Sequence, residues 1–347
     1  MPRPFKRRKA AEERAREAFA NVPRITNETV AEHRADVLAG ARKYIYPLKH
    51  SRRRAVIISS TIFVVALVIF LSYTSFSLYR LQSTSGFMYG VTKVIPFPIA
   101  KAGSSWVSYN SYLFELRHYM HYYATQQGVD FNNESGKQQL DNYRKQALDE
   151  VINDAYVKQL AAKNKVSVSD RAVTQQIEMM RAQNRLGNSE KEFEEVLNEF
   201  WGWNSRDFKR SLKQQMLAQA VAAKLDTAAN AKAQAALTQI KAGSDFATLA
   251  TQLSSDEATK ANGGQYAGTI DPKNANLSPR VLAELYKLQP GEASGIIDTG
   301  YSFEIVKVNS VQDGKVQASH IEITYKPIGT HIAPLKAKAK PQTFINP

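Results

Sequence analysis

His118 and His121 stand three residues apart in His118-Tyr119-Met120-His121-Tyr122-Tyr123. On a helix that spacing puts both imidazoles on one face, where they could share a metal ion. No third ligand at a fixed spacing accompanies them, and the same residues read as an amphipathic helical stripe, so no metal is expected. Other chemistry is absent. The chain has no HExxH, no G-x-x-x-x-G-K-[ST] and no G-x-S-x-G. With no cysteine it also has no thiolate metal site, thiol nucleophile or disulfide framework. Ser and Lys are too common for a Ser–Lys dyad to carry any signal. Asp256, in Ser254-Ser255-Asp256-Glu257, sits in the context of a helix cap or turn. Tyr112, Tyr119, Tyr122, Tyr123, Phe200, Trp201 and Trp203 fall in helical stretches. Core packing must claim most of them, and those left outside suit weak, sequence-tolerant contact with apolar polypeptide segments.

These residues sit in an unevenly charged chain of 347 residues, long enough for two or three folded units. Lys and Arg number 46 against 32 Asp and Glu, a net charge of +14. Residues 1–54 alone hold 15 basic and 6 acidic residues. The basic character is therefore largely that of a tail, and no nucleic-acid partner is expected. Residues 55–79 follow without a single charge over 25 positions. As a helix they reach about 37 Å, against roughly 30 Å of bilayer hydrocarbon. The run is too long, and too far from the start, for a cleaved signal peptide, and reads as a retained signal anchor. Arg52, Arg53 and Arg54 abut it, with Arg42, Lys43 and Lys49 behind, whereas the far side offers only Arg80 before Lys93. The positive-inside rule then places residues 1–54 in the cytoplasm and 80–347 outside the cell membrane, in a single-pass topology.

Residues 80–104, with Ser, Gly and Pro96-Phe97-Pro98, read as a linker. Helical periodicity dominates 105–228: Leu140, Tyr143, Ala147, Leu148, Val151, Ile152, Ala155, Tyr156 and Leu160 recur at steps of three and four. Ser169-Asp170, Ser189-x-x-Glu192 and Asn204-Ser205 mark further helix starts. Residues 229–325 change character to an Ala-rich helix, a second helix from Phe246, a Gly263-Gly264 loop and a helix at 278–288. Two strand-like runs, Tyr301–Asn309 and Val316–Tyr325, follow, joined through Asp313-Gly314 as a hairpin. The expected fold is an all-α domain, then an α+β domain on a small antiparallel sheet. Residues 326–347, Lys- and Pro-rich without acids, are expected to be a disordered basic tail.

The α+β stretch resembles the parvulin-type peptidyl-prolyl isomerases. Gly243, Asp245, Phe246, Leu249 and Ala250 carry their G-x-D-F-x-x-L-A; Ser254, Asp256, Gly263 and Gly264 follow, and Leu288, Gly291, Glu292 and Ser294 form the L-x-x-G-E-x-S turn. Upstream, Ala161 to Val173 and the helix from Trp201 resemble the N-terminal chaperone domain of the SurA and PrsA type. The resemblance implies a membrane-tethered extracytoplasmic foldase that binds unfolded or nascent exported polypeptides and isomerises X-Pro bonds without a cofactor. A non-catalytic holdase or scaffold with a degenerate parvulin domain is the alternative.

One departure stands out. Parvulin domains open with an A-S-H-I-L strand, yet no strand precedes the Ala-rich helix here. Ala318-Ser319-His320-Ile321 appears instead at the C-terminal side. It is either the remnant of a second repeat or the missing strand supplied from the other end, and the second is preferred because an apolar sheet edge would otherwise stand unpaired. Carried over residue by residue, the resemblance implies Asp256 and His320 as polar groups beside the twisting amide, with Ser254 in support. It also implies Tyr266, Leu277 and Val281 as a proline pocket, and Glu304 where the family has a second histidine. His320 also reads simply as a sheet residue bonding its neighbours.

Overall fold

The computed structural model describes residues 5–20, 25–45, 48–183, 186 and 189–346. The chain divides into two compact units, Met1–Ser75 and Phe76–Pro347. The first holds α1 (Phe5–Ala20), α2 (Asn27–Ile45) and most of α3 (Leu48–Tyr79). Residues Arg52–Tyr79 are long and apolar enough to cross a membrane, with a mean hydropathy of 2.7 over their most apolar stretch, none of which is buried.

The second unit continues with α4 (Gly86–Val94), β1 (Pro98–Ala102), β2 (Ser105–Ser108), α5 (Tyr109–Gln127), α6 (Glu134–Lys163), α7 (Asp170–Ala182), α8 (Glu190–Trp201) and α9 (Ser205–Leu225). Caps set the starts. Ser108, Asn133, Ser169 and Ser189 each accept a backbone N–H, and Asn204 and Asp207 form a reciprocal capping box. Gly128 and Gly202 close α5 and α8 in left-handed conformation. The long α6 packs on α5, α9, β1 and β2, burying Leu113, Leu116, Ile152 and Tyr156. The aromatics mostly serve this packing: Tyr112 is buried, and Trp203 stacks on Phe114 at 5.2 Å and on His118 at 4.4 Å.

Next come α10 (Thr227–Lys241), α11 (Phe246–Leu253), α12 (Glu257–Lys260), α13 (Pro279–Leu285), β3 (Ile297–Asp298), β4 (Ser302–Gln312) and β5 (Lys315–Thr324). Strand order is β3-β4-β5, all antiparallel. The β4–β5 turn has positive φ at both Asp313 (51°) and Gly314 (74°), as a tight two-residue hairpin requires. Alternation along β5 then loads both faces. Ile321 and Ile323 join Phe246, Leu249 and Ala236 on one side. Val316 and Ala318 join Ile270, Val281 and Leu285 on the other.

The C-terminal segment forms α14 (Ile328–Lys338) and β6 (Gln342–Thr343). The disordered tail expected over 326–347 is thereby corrected. Ile332 and Ile345 are buried, α14 packs on α6 and α9, and Tyr156 donates to the Ala339 carbonyl at 3.0 Å. The charge pattern that suggested disorder lies on the outer side of a strap whose Ile332 and Ile345 face inward. The linker expected over 80–104 is corrected too. Ser85 caps α4, which buries Met88 and Thr92, and β1 is the central strand of a β2-β1-β6 sheet. The helical domain thus extends beyond 105–228 at both ends, and the α+β domain is an insertion in it. The two ends of the insertion meet, since Lys326 N–H donates to Asp226 Oδ2 at 2.9 Å.

Candidate functional site

The β4–β5 pairing places Glu304 opposite Glu322 and Val306 opposite His320. The Gly-Gly loop crosses the adjacent edge, where His320 N–H donates to the Gly264 carbonyl at 2.8 Å and Tyr266 N–H to the Ala318 carbonyl at 3.0 Å. Gly264 has φ of +77°, and a Cβ there would lie 2.1 Å from the His320 carbonyl oxygen. Both backbone conformation and space demand glycine. Gly264→Ala should cost roughly 2–4 kcal/mol, read as a lower unfolding midpoint of the α+β domain. An unchanged midpoint would show that the loop can leave the sheet at no cost.

This edge brings together four of the residues singled out in the sequence. His320 Nε2 lies 2.9 Å from Asp256 Oδ2 and its Nδ1 3.4 Å from Glu304 Oε2. The Tyr266 ring packs on the imidazole, centroids 4.3 Å apart, and its hydroxyl donates to Glu304 Oε2 at 3.3 Å. With a carboxylate facing each ring nitrogen, the imidazole is suited to its doubly protonated form. Burial alone would lower the His320 pKa, but the hydrogen bond and charge of Glu304, and then of Asp256, outweigh burial and hold it above the ordinary value. Burial likewise pushes Asp256 up, yet bonds from Thr259 and His320 hold its carboxyl below the usual range. Burial and the neighbouring Glu304 charge raise the Tyr266 phenol.

Two further members were not singled out in the sequence, although strand alternation puts Glu322 on the face of His320. Thr259 donates to Asp256 Oδ2 at 2.6 Å and lies 2.9 Å from His320 Nε2. Its signal was the helix-start spacing, because Asp256 is the cap of α12 and Thr259 lies three residues on. Glu322, half-buried, has its pKa raised by burial and then by Glu304, its cross-strand neighbour.

Two expected residues, Val281 and Leu277, fall elsewhere, while Ser254 sits beside Asp256. Val281 is fully buried in the core beside Ile270 and Val306, so it cannot form the wall of an open proline pocket. Packing of α13 against β4 turned it inward. Leu277 lines a cleft of about 360 Å³ between the two domains, with Met180, Met216, Arg280 and Tyr301. Ser254 is buried, and its hydroxyl accepts the N–H groups of Asp256 at 3.3 Å and Glu322 at 3.2 Å. It ties α11 to β5. His118 and His121 are held by packing, His118 against Trp203 and His121 Nε2 2.9 Å from the Glu199 carbonyl. Of the Asp256–His320–Glu304 trio, Asp256 is the most exposed, 23% against 6% for His320 and 8% for Glu304.

Comparison with known proteins finds two domain families in the chain. Residues 48–222 match the SurA-like N-terminal domain family, and residues 212–310 match the PPIC-type peptidyl-prolyl isomerase domain. The second match stops short of β5. A foldase protein PrsA of Clostridium botulinum is 24% identical over 230 residues, covering 56% of this chain and 68% of the relative. A chaperone SurA of Albidiferax ferrireducens is 39% identical over 85 residues, covering 24% of this chain and only 18% of the relative.

Proposed function

Because the chain belongs to the SurA-like N-terminal domain family and carries a PPIC-type peptidyl-prolyl isomerase domain, we propose that it is a membrane-tethered foldase, binding unfolded exported polypeptides with its helical domain and isomerising X-Pro bonds at the β4–β5 edge. The observation that carries the catalytic part is the Asp256–His320–Glu304 array, closed on one side by Tyr266 and most exposed at Asp256. Isomerisation breaks no bond. Its barrier of about 18–20 kcal/mol is amide resonance, and resonance places negative charge on the carbonyl oxygen. An ionised Asp256 facing that oxygen disfavours the delocalised form and eases the twist. His320 and Thr259 fix the carboxylate and keep it ionised, so they are positioning residues. Lacking Val281 and Leu277 as pocket walls, the site offers Tyr266 as its apolar contact.

The test is a proline-containing tetrapeptide assay on the whole chain. Acceleration of the cis-to-trans step that Asp256→Asn abolishes is expected. No acceleration by the wild type would leave the holdase alternative. The bilayer is the proposed partner of residues 55–79, with 1–54 cytoplasmic and the second unit external, a reading supported by the flanking arginines.

Client binding is assigned to the helical domain, which holds most of the aromatic side chains. Its test must respect the C-terminal strap. Excising 227–325 and joining Asp226 to Lys326 by a short Gly-Ser turn, rather than deleting everything from 229 onward, keeps α14 in place. Suppression of aggregation of a denatured enzyme should persist within about twofold. Its loss, in a protein that stays helical, would move client binding to the excised domain.

A further inference from the structure

Helix α4 carries its apolar side outward. Phe87 (63% exposed) and Val94 (82%) lie seven residues apart on one face, while Met88 and Thr92 are buried on the other. The same unit exposes three more large apolar residues: Leu81 (60%), five residues before α4, with Trp106 (63%) and Phe344 (42%). They are brought together by tertiary contacts. Gln82 Nε2 donates to the Asn346 carbonyl at 2.9 Å, and the Trp106 and Phe344 rings lie 6.0 Å apart. Lys101 places its ammonium 5.3 Å from the Trp106 ring. The C-terminal end of α3 is fixed in the same unit, since Tyr79 donates to the Pro98 carbonyl and meets the Tyr109 ring edge-on at 5.6 Å.

We propose that this face is a membrane-docking surface, in which Leu81, Phe87, Val94, Trp106 and Phe344 enter the headgroup boundary of the bilayer and orient the folded unit against it. The proposal rests on the reading of residues 55–79 as a span. Two observations select lipid as the occupant. The apolar residues begin two positions after a helix that is itself long enough to cross a bilayer. The segments that carry them are basic: residues 80–114 contain Arg80, Lys93 and Lys101 and no acid, and residues 326–347 contain four lysines and no acid, while the acids Glu115 and Asp207 lie on the Tyr89 side of α4. Basic side chains around exposed Trp, Phe and aliphatic residues match an interface of anionic headgroups over acyl chains. Each Å² of this surface removed from water would contribute roughly 25 cal/mol.

The chain has no cysteine, so single labels are clean. The full chain, carrying an environment-sensitive NBD dye at Ala66→Cys, Val94→Cys or Val311→Cys, is reconstituted in vesicles of phosphatidylcholine and phosphatidylglycerol. Some vesicles contain lipid with a doxyl quencher high on the acyl chain. Phe87→Cys replaces Val94→Cys if that variant misfolds. The dye at 94 should shift to the blue and lose roughly half its emission to the quencher, as expected for burial at about 5–10 Å depth, while 311, on the β4–β5 hairpin, stays unquenched. Position 66 reports the span separately. Quenching at 66 without quenching at 94 overturns docking and leaves the span intact. Quenching at 94 without 66 removes the span on which the proposal rests and so overturns the proposal as stated. Equal quenching at 94 and 311 means unspecific adsorption and overturns the proposal. So does a blue shift at 94 that no lipid quencher reaches and that fades as protein is diluted in lipid, because the face would then belong to a second copy.

Discussion

Ending the chain after Gly314 should unfold the PPIC-type domain, whereas ending it after Lys326 should spare that domain and loosen the helical one. The first cut removes β5, with Val316, Ala318, Ile321 and Ile323 all buried. The three larger side chains alone are worth about 5–8 kcal/mol of burial, comparable to the whole stability of a small domain. The cut also strips the long β4 of its partner and leaves an apolar edge exposed. The second cut removes the buried Ile332 and Ile345, the pairing of β6 with β1 and the Tyr156–Ala339 bond. About 3–6 kcal/mol of burial is lost from the helical side alone. Hydrogen exchange reads both at once. After the first cut, protection should vanish along β4; after the second, it should fall in α6 and β1 while β4 stays protected. Retained β4 protection after the first cut would mean that β5 is an ornament to a sheet already complete.

His320→Gln should lower kcat/KM for the proline tetrapeptide roughly tenfold, and Asp256→Asn by about a hundredfold. The first keeps a hydrogen-bonding side chain but loses the charge. The two differ in a readout that a purely structural role would not move. The folded-state pKa of His320 is raised by its carboxylate partners. Its contribution to stability is therefore fully present below the unfolded value of about 6.5 and is lost as pH rises through the folded value above it. Asp256 is depressed, so its contribution is present above about 3.9 and is lost as pH falls through its lower folded value. The wild-type unfolding midpoint should decline on the alkaline side of pH 6.5, and His320→Gln should flatten that decline. Equal slopes in wild type and variant would show that the imidazole carries no extra charge in the fold.

Local spacing carried a good part of this protein into view. The uncharged 25-mer behind three arginines, the caps at Ser169, Ser189 and Asn204, and the Asp313-Gly314 turn each act over a few residues, where steric and hydrogen-bonding rules operate without help from distant chain. The turn started the pairing of β4 with β5, but a bulge between Val308 and Ser310 shifts it by one residue, and that shift puts Glu304 on the face of His320 and Tyr266. Thr259 could have been added on the grounds of local spacing.

Tertiary structure decided what depends on which surface a residue finds. Val281 has the right type for a pocket wall, but α13 packs on β4 and turns it into the core. Residues 326–347 have the composition of a solvated tail. A few apolar side chains among many lysines suffice to order such a segment when α6, α9 and β1 already offer it a face, and that face is assembled from residues more than a hundred positions away. The exposed apolar side of α4 is the same lesson in reverse. Its nine residues fix an amphipathic pattern, but only the folded unit determines which side is left outside, because burial is a property of the surface that meets a side chain and not of the side chain itself.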